Sequence, residues 1–261
     1  MGQITLVLGS INSEREQKME AFWRDYNSRA VFLAPTSRLA RRRQNNFVRH
    51  YSPAGLLGKH AWELTDFAAA LVEQAGQRVR RMSMLERRLT VQQALCNLPA
   101  ELAFVPTVTP GLVRHLLHII TELKQAAIEP QEFRRVAESG TDPSRSPRLH
   151  QSRSSVPAFD NYDALVAVVY ERYQDTLLSG NLYDVPGVYW EAERCCREGA
   201  PMLPGNASVV LLDGFDDFTP SQERFLIALS RHVEHTIIGL HYDPEPNRAD
   251  LFTLQHKCIE R

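Results

Sequence analysis

Apolar residues in this chain gather in two kinds of run. Four are short and continuous: ITLVL (4–8), AVFLA (30–34), SVVLLD (208–213) and TIIGL (236–240). A strand covered on both faces has no polar side to show, so such runs predict buried parallel strands. Each is followed by turn residues and then by apolar positions at helical spacing. That is the β–α alternation of an open α/β sheet, whose sites lie at the carboxyl ends of the strands.

The second kind of run is longer and helical in period, and it fills the interval between the second and third strands. AWELTDFAAALVEQAG (61–76), MLERRLTVQQALCNL (84–98), PGLVRHLLHIITELKQAAI (110–128), DNYDALVAVVYERYQDTLLSG (160–180) and PGVYWEAERCCREG (186–199) all read as helices. Thr109 is placed to cap the third, with Pro110 at its first position. The pattern predicts an α/β core built from residues 1–76 and 205–261, interrupted by an all-helical insertion over 77–204. Within the insertion, SGTDPSRSPRLHQSRSSVP (139–157) is rich in Ser, Pro and Arg and too poor in apolar residues to order itself, so a mobile loop is expected there. It reads either as a tolerated surface insertion or as a basic arm that touches DNA.

Two strand ends carry candidate chemistry. In VVLLDGFDDFTPSQ, the third strand runs into Asp213, an acidic turn and Thr219-Pro220 opening a helix. This is the pattern of a motif in which an aspartate holds the metal of ATP and a glutamate activates water. Here Gly214 stands in the glutamate's position, and general-base assistance of that sort contributes roughly 10²–10⁴-fold. Asp216 and Asp217 come too late on the turn to replace it simply, and Thr219 with Gln222 forms a capping box, so the acidic cluster also reads as turn and cap chemistry.

A metal-holding aspartate needs a phosphate loop of the form GxxxxGK[ST] after the first strand. Laid on Gly9, that pattern places Glu14 at the second glycine, Arg15 at the lysine and Glu16 at the Ser/Thr position. Ser13-Glu14-Arg15-Glu16 is itself a capping box, and two carboxylates in the first helical turn suit the helix dipole while repelling phosphate. Gly9, Ser13, Arg15, Asp213 and Asp217 are therefore read as a vestigial nucleotide site, with no catalytic residue and no cofactor expected. The enzymatic alternative is a divergent nucleotide hydrolase that uses Arg15 and Asp217 in unorthodox roles.

These stretches carry a family likeness. "LVLGS" and "VVLLDGFDDFTPSQERFL" resemble the N-terminal part of a superfamily 1, UvrD-like helicase with a decayed ATP site, and more closely the B subunits of AddAB helicase–nucleases and the AddB-like nuclease family. In that family an Asp-Gly-Phe followed by Asp-Phe-Thr-Pro takes the place of the helicase acidic motif, here Asp213-Gly214-Phe215 and Asp217-Phe218-Thr219-Pro220. TIIGLHYDPEP (236–246) resembles the element that follows. The resemblance implies a RecA-like, P-loop NTPase-type sheet and a role in double-strand break repair and recombination. It also implies a longer protein with a second helicase-like lobe and a C-terminal nuclease domain carrying an iron–sulfur cluster. The present chain departs from many B subunits in its phosphate loop, and its one late cysteine, Cys258, cannot hold a four-thiolate cluster. It is expected to be the N-terminal part of such a protein, with a free-standing remnant as the alternative.

Charge changes the picture in one respect. The net charge is −1, yet residues 1–155 hold 22 Lys and Arg against 14 Asp and Glu, while residues 156–261 hold 8 against 17. Arginines cluster in SRLARRRQNNFVRH (37–50) and QRVRRMSMLERRL (77–89). In helicases of the resembling type, the loop and helix after the second strand touch single-stranded DNA. Carried over, Thr36, Ser37 and Arg38 would meet phosphates, with Arg41, Arg42 and Arg43 on the helix that follows. Arginine suits the task through bidentate phosphate contacts and counterion release. Three consecutive arginines fan across most of a helix, so two of them face one strand together; the bland alternative is a solvated face.

The leading expectation is a catalytically inactive helicase-like module that grips single-stranded or duplex-end DNA and docks on a helicase or nuclease partner subunit, or on the remainder of its own chain. A protein-interaction scaffold without DNA binding is the third reading. His115 and His118 have a metal-ligand spacing but no companions, and the turn carboxylates alone do not make a two-metal nuclease, so no metal is expected. Four cysteines without a CxxC pair, no signal peptide and no apolar run of about 18–20 residues point to the cytoplasm and away from a membrane.

Overall fold

The structure is a computed structural model that describes residues 2–9, 14–52, 58–77, 80–98, 107–139, 159–199 and 203–242. Ser13, most of the loop at 139–157, the stretch from Asp243 onward and Cys258 lie outside those residues. The described elements run β1 (Gln3–Gly9), α1 (Glu14–Tyr26), β2 (Ala30–Ala34), α2 (Ser37–Tyr51), β3 (Ala61–Glu63), α3 (Leu64–Gln74), β4 (Arg80–Arg81), α4 (Met84–Cys96), α5 (Pro110–Gln125), α6 (Pro130–Ser139), α7 (Phe159–Ser179), β5 (Leu182–Tyr183), α8 (Val185–Arg197), β6 (Val209–Phe215), α9 (Pro220–Ser230) and β7 (His235–His241). They form two compact units, Met1–Arg78 with Val188–Arg261, and Val79–Gly187.

The first unit holds a five-stranded, all-parallel sheet in the order β1-β7-β6-β2-β3. Its four longer strands are the four continuous apolar runs, and every residue of β2 is buried; β1 departs from the expected burial, because it is an edge strand and leaves Ile4, Leu6 and Leu8 exposed. The fifth strand departs from the expected helix at 61–76, which begins only at Leu64. Ala61-Trp62-Glu63 instead pairs with Phe32, Leu33 and Ala34 of β2. A side chain from α2 supports that start, because Gln44 Oε1 accepts from the backbone N–H of His60 (3.3 Å) and of Ala61 (3.1 Å). On one face of the sheet, Trp23 of α1 stacks on Phe32 (5.1 Å between ring centres) and on Phe47 of α2 (4.4 Å). These rings clamp both helices against the sheet.

The register decides which side chains meet at the carboxyl edge of the sheet. β1 and β7 end together, with Gly9 opposite His241. Asp213 of β6 stands opposite Gly239 of β7, and the ladder then slips at Gly214, so that Phe215 is opposite Leu240. The Thr219–Gln222 capping box is formed after the turn and starts α9.

The second unit contains α4, α5, α6 and α7 and the two-residue parallel pairing of β4 with β5. The cap of α5 is the predicted one, with Thr109 accepting from Leu112 N–H and Pro110 at the first turn. Two elements were not anticipated: α6, and the β4–β5 bridge. α6 is mostly polar, and its Val136 is exposed, so little apolar periodicity announces it.

A polar cluster is buried among the apolar side chains of this unit. Lys124 and Asp184 are both fully buried, with Nζ 2.7 Å from Oδ1. Lys124 also donates to Gln174 Oε1 (2.8 Å), Tyr173 OH donates to Asp184 Oδ2 (3.0 Å) and Gly187 N–H donates to Oδ1 (2.9 Å). Burial alone would raise the Asp184 pKa, but Lys124 and Arg87 reverse that and hold the carboxyl below its ordinary range. The same burial and the neighbouring carboxylate push the Tyr173 hydroxyl upward. Among the described residues, no helix is long and apolar enough to cross a membrane.

Candidate functional site

The carboxyl edge of the sheet holds a cluster of charges assembled from four elements. Asp213, at the end of a buried strand, has no solvent exposure. Arg15, in the first turn of α1, is 5% exposed and pairs through Nη1 with Asp213 Oδ1. Arg43, two turns into α2, donates from Nη2 to Asp213 Oδ2 (2.9 Å) and from Nη1 to Glu16 Oε1. Glu20 Oε1 lies 3.9 Å from the same nitrogen. His241 closes the cluster from β7, its Nε2 3.3 Å from Arg15 Nη2. Burial and the adjacent Arg15 lower the His241 pKa, and the carboxylates of Asp213 and Asp216 oppose this without cancelling it. His241 therefore stays neutral below the pH at which an open histidine would charge, and its ring is available as an acceptor for Arg15.

Two glycines make room for this arrangement. A Cβ on Gly239 would stand 2.8 Å from Asp213 Oδ1 and 3.1 Å from Arg15 Nη1, so only glycine at that register position lets the guanidinium reach the carboxylate. Gly214, in the position of the expected glutamate, has φ +86°, and a Cβ there would come within 2.5 Å of Leu39 Cδ2. A left-handed backbone at a non-glycine residue costs about 1–3 kcal/mol. Gly214→Ala and Gly214→Glu are both expected to lose about that much in urea unfolding. An alanine variant as stable as the parent would show that the backbone conformation imposes nothing.

The structure brings together Arg15 and Asp213, two of the residues read from sequence as a vestigial nucleotide site. Gly9 lies beside them, its carbonyl accepting from Tyr242 N–H (3.1 Å). Asp217 does something else: it sits exposed on the turn and accepts from Phe218 N–H (2.8 Å). The residues at the start of α2 are also partly engaged. Thr36 is the N-cap, accepting from Leu39 N–H (3.3 Å), and Ser37 donates from both its backbone nitrogen (3.1 Å) and its hydroxyl to Glu63.

α2 divides its side chains by face. Ala40, Arg43, Gln44 and Phe47 recur at helical spacing and point inward, to the core, to Asp213 and to β3. Arg38, Arg41, Arg42, Asn45, Asn46 and Arg49 line one open surface depression on the outer side. Arg43 thus belongs to the charge cluster rather than to the outward face that Arg41 and Arg42 share, and it does not join them as a DNA-contact residue. Its position three residues after Ala40 and four before Phe47 carries that information. Gly239 and His241 were missed; an isolated glycine inside a strand, marking a close approach, is the signal for the first.

The second arginine group is divided too. Arg80 pairs with exposed Glu86 (2.7 Å), which is also bonded by the Ser83 cap and whose pKa falls to about 2. Arg87 turns inward to Tyr173 OH (3.1 Å) and Thr121 Oγ1 (2.7 Å). Among the described residues, no three His, Cys, Asp or Glu side chains gather as a metal site; His118 lies 3.9 Å from Glu122 on the surface of α5.

A parallel α/β sheet whose aspartate-ending strand faces a basic residue in the helix after strand one defines a class of domain. Residues 26–261 match the family model described as ADDB, N-terminal, and the chain belongs to that family. It is 26% identical over 163 residues, 58% of this chain, to the B subunit of the ATP-dependent helicase/deoxyribonuclease of Bacillus subtilis. It is 27% identical over 159 residues, 55% of this chain, to the corresponding B subunit from Bacillus velezensis. The match spans 12% of the length of each of these relatives.

Proposed function

We propose that this chain is a catalytically inactive, helicase-like lobe that grips DNA within a helicase–nuclease subunit of double-strand break repair. The observation that carries the reading is the occupation of Asp213: both carboxylate oxygens are taken by guanidinium groups, one of them on Arg15 at the phosphate-loop lysine position. Mg²⁺ and a triphosphate do not fit these residues. A metal ion at Asp213 would have to displace two cations, Glu16 stands where the metal-binding hydroxyl belongs, and Gly214 supplies no group to activate water. The names of the two Bacillus relatives support the assignment to a helicase–nuclease subunit, with a second subunit and DNA as partners. The all-parallel order β1-β7-β6-β2-β3, with one strand between the loop strand and the aspartate strand, supports a RecA-like core, and the helical second unit reads as an insertion into it.

DNA contact is assigned to Arg38, Arg41, Arg42 and Arg49, with Thr36 and Ser37 at the helix start. The test is fluorescence anisotropy of a labelled single-stranded oligonucleotide at several salt concentrations. Binding that weakens steeply with salt is expected, and Arg41→Ala/Arg42→Ala is expected to lower the slope of log K against log[salt] by about 1 for each phosphate contact removed. No binding at low salt would leave these arginines as a solvated face and the lobe as a scaffold for a protein partner. Phosphate release from ATP is expected to stay at background, in the parent chain and in Gly214→Glu alike.

A further inference from the structure

We infer that the Arg43–Asp213 pair takes the place of a nucleotide as the element that sets the position of α2, so that the arginine face is presented permanently and its affinity for DNA does not respond to ATP. The inference rests on the proposed DNA contact by α2 and adds its regulation.

One helix carries both functions. Arg43 is bonded to Asp213 on β6 and to Glu16 on α1, while Arg42, Arg41 and Arg38 stand outward within five residues of it. The attachments run along the inner face of α2. Ser37 is held by Glu63, Gln44 by the backbone of His60 and Ala61, Phe47 by Trp23, and Tyr51 donates to Glu20 (3.2 Å). Most of these attachments join α2 to its neighbours at the rim. The Arg43 fork is the one that reaches the strand end where the metal of a nucleotide would lie.

In a site that loads and releases a nucleotide, the charges between the loop after strand one and the aspartate strand come and go. Here both charges are side chains fixed to the fold. Asp213 is wholly buried, and Arg43 is only 12% exposed, so solvent does little to loosen the bond. A ligand shifts an equilibrium only by its differential affinity for two states, and a helix locked in one seating offers no second state to select. Arg43 is thus a positioning residue: it acts on DNA through the orientation of Arg38, Arg41 and Arg42.

The experiment combines anisotropy with a labelled oligothymidylate and amide hydrogen exchange of α2, on the whole chain and on Arg43→Gln. Arg43→Gln leaves Asp213 paired with Arg15, which keeps the fold testable. For the parent chain, at fixed free Mg²⁺ and ionic strength, the dissociation constant should be the same within about twofold with and without ATP, far less than the roughly 5–150-fold of a working coupling between sites. For Arg43→Gln, exchange over Asn45–Arg49 should speed up, and affinity should fall about tenfold, a common size for such coupling. The salt slope should be unchanged, because a lower population of the competent seating scales affinity without removing phosphate contacts. Val72→Ala, a buried truncation on α3, should leave α2 exchange at the parental rate.

A parental affinity that moves with ATP at fixed free Mg²⁺ and ionic strength overturns the inference, as does an Arg43→Gln chain with parental exchange and affinity. The two readings part cleanly. If α2 loosens in Arg43→Gln but the parent binds no oligothymidylate, the lock stands and the DNA assignment fails. If the parent binds and Arg43→Gln changes nothing, the assignment stands and the lock fails.

Discussion

Asp213→Ala is expected to cost about 3–5 kcal/mol of folding stability, the usual consequence of removing one member of a buried charge cluster. The truncation leaves the Arg15 guanidinium, 5% exposed, and largely buried Arg43 facing each other with no anion between them. Glu16 and Glu20 remain near Arg43, but they are more exposed and do not reach the strand end. Asp213→Asn should be nearly as harmful, because its amide places a donor where one guanidinium needs an acceptor. The sign is informative as well as the size. A carboxylate kept for catalysis commonly sits in a strained environment, and removing it stabilises the protein at the expense of activity. Here the carboxylate is already satisfied, so its removal should destabilise. Urea unfolding at neutral pH measures the difference directly, and an Asp213→Ala chain as stable as the parent would mean that the cluster contributes nothing to the fold.

How far this site can be read from sequence depends on which residues carry a periodic or positional signal. The strands β2, β6 and β7 are legible because burial on both faces excludes polar residues, and α5 because Thr109-Pro110 marks its start; β1 carries the same apolar signal although it is an edge strand with Ile4, Leu6 and Leu8 exposed. β3 is not legible: three residues make no pattern, and its pairing is decided by β2 and by the Gln44 side chain. α6 and the β4–β5 bridge are held by contacts that leave little trace in composition, and β4 is simply Arg80-Arg81. At the site, motif spacing brings Arg15 and Asp213 to one place, but spacing cannot say that they bond rather than flank a ligand. The run Arg41-Arg42-Arg43 shows the same limit. Identical residue types fan around a helix, and only the neighbours Ala40 and Phe47 tell which arginine turns inward.

The second large effect is expected in the helical unit, and it separates the worth of a charge from the cost of orphaning its partner. Lys124→Met removes a fully buried ammonium and leaves Asp184 equally buried, with Arg87 Nη2 at 4.0 Å as the nearest remaining cation. The expected loss is about 3–5 kcal/mol. Asp184→Leu should cost as much, since it orphans Lys124 and strips acceptors from Tyr173 and from the Gly187 N–H. The double variant Lys124→Met/Asp184→Leu should lose much less than the sum, because a buried ion pair replaced by apolar groups of similar volume is often near neutral. The residual cost should come from the Tyr173 O–H and the Gly187 N–H, two donors that lose their acceptor while the Tyr173 oxygen still accepts from Arg87, about 1–3 kcal/mol for a polar group left buried without a partner. Urea midpoints for the four chains give the coupling energy. Additive losses would show that Lys124 and Asp184 act independently. Acid should reveal the same pair: Asp184 is held below its ordinary pKa of 3.8, so its contribution is complete above that value and is withdrawn as the pH falls through the lower, folded value. The parent should therefore lose stability more steeply below pH 3.8 than the double variant, in which no carboxylate remains at position 184 to be protonated.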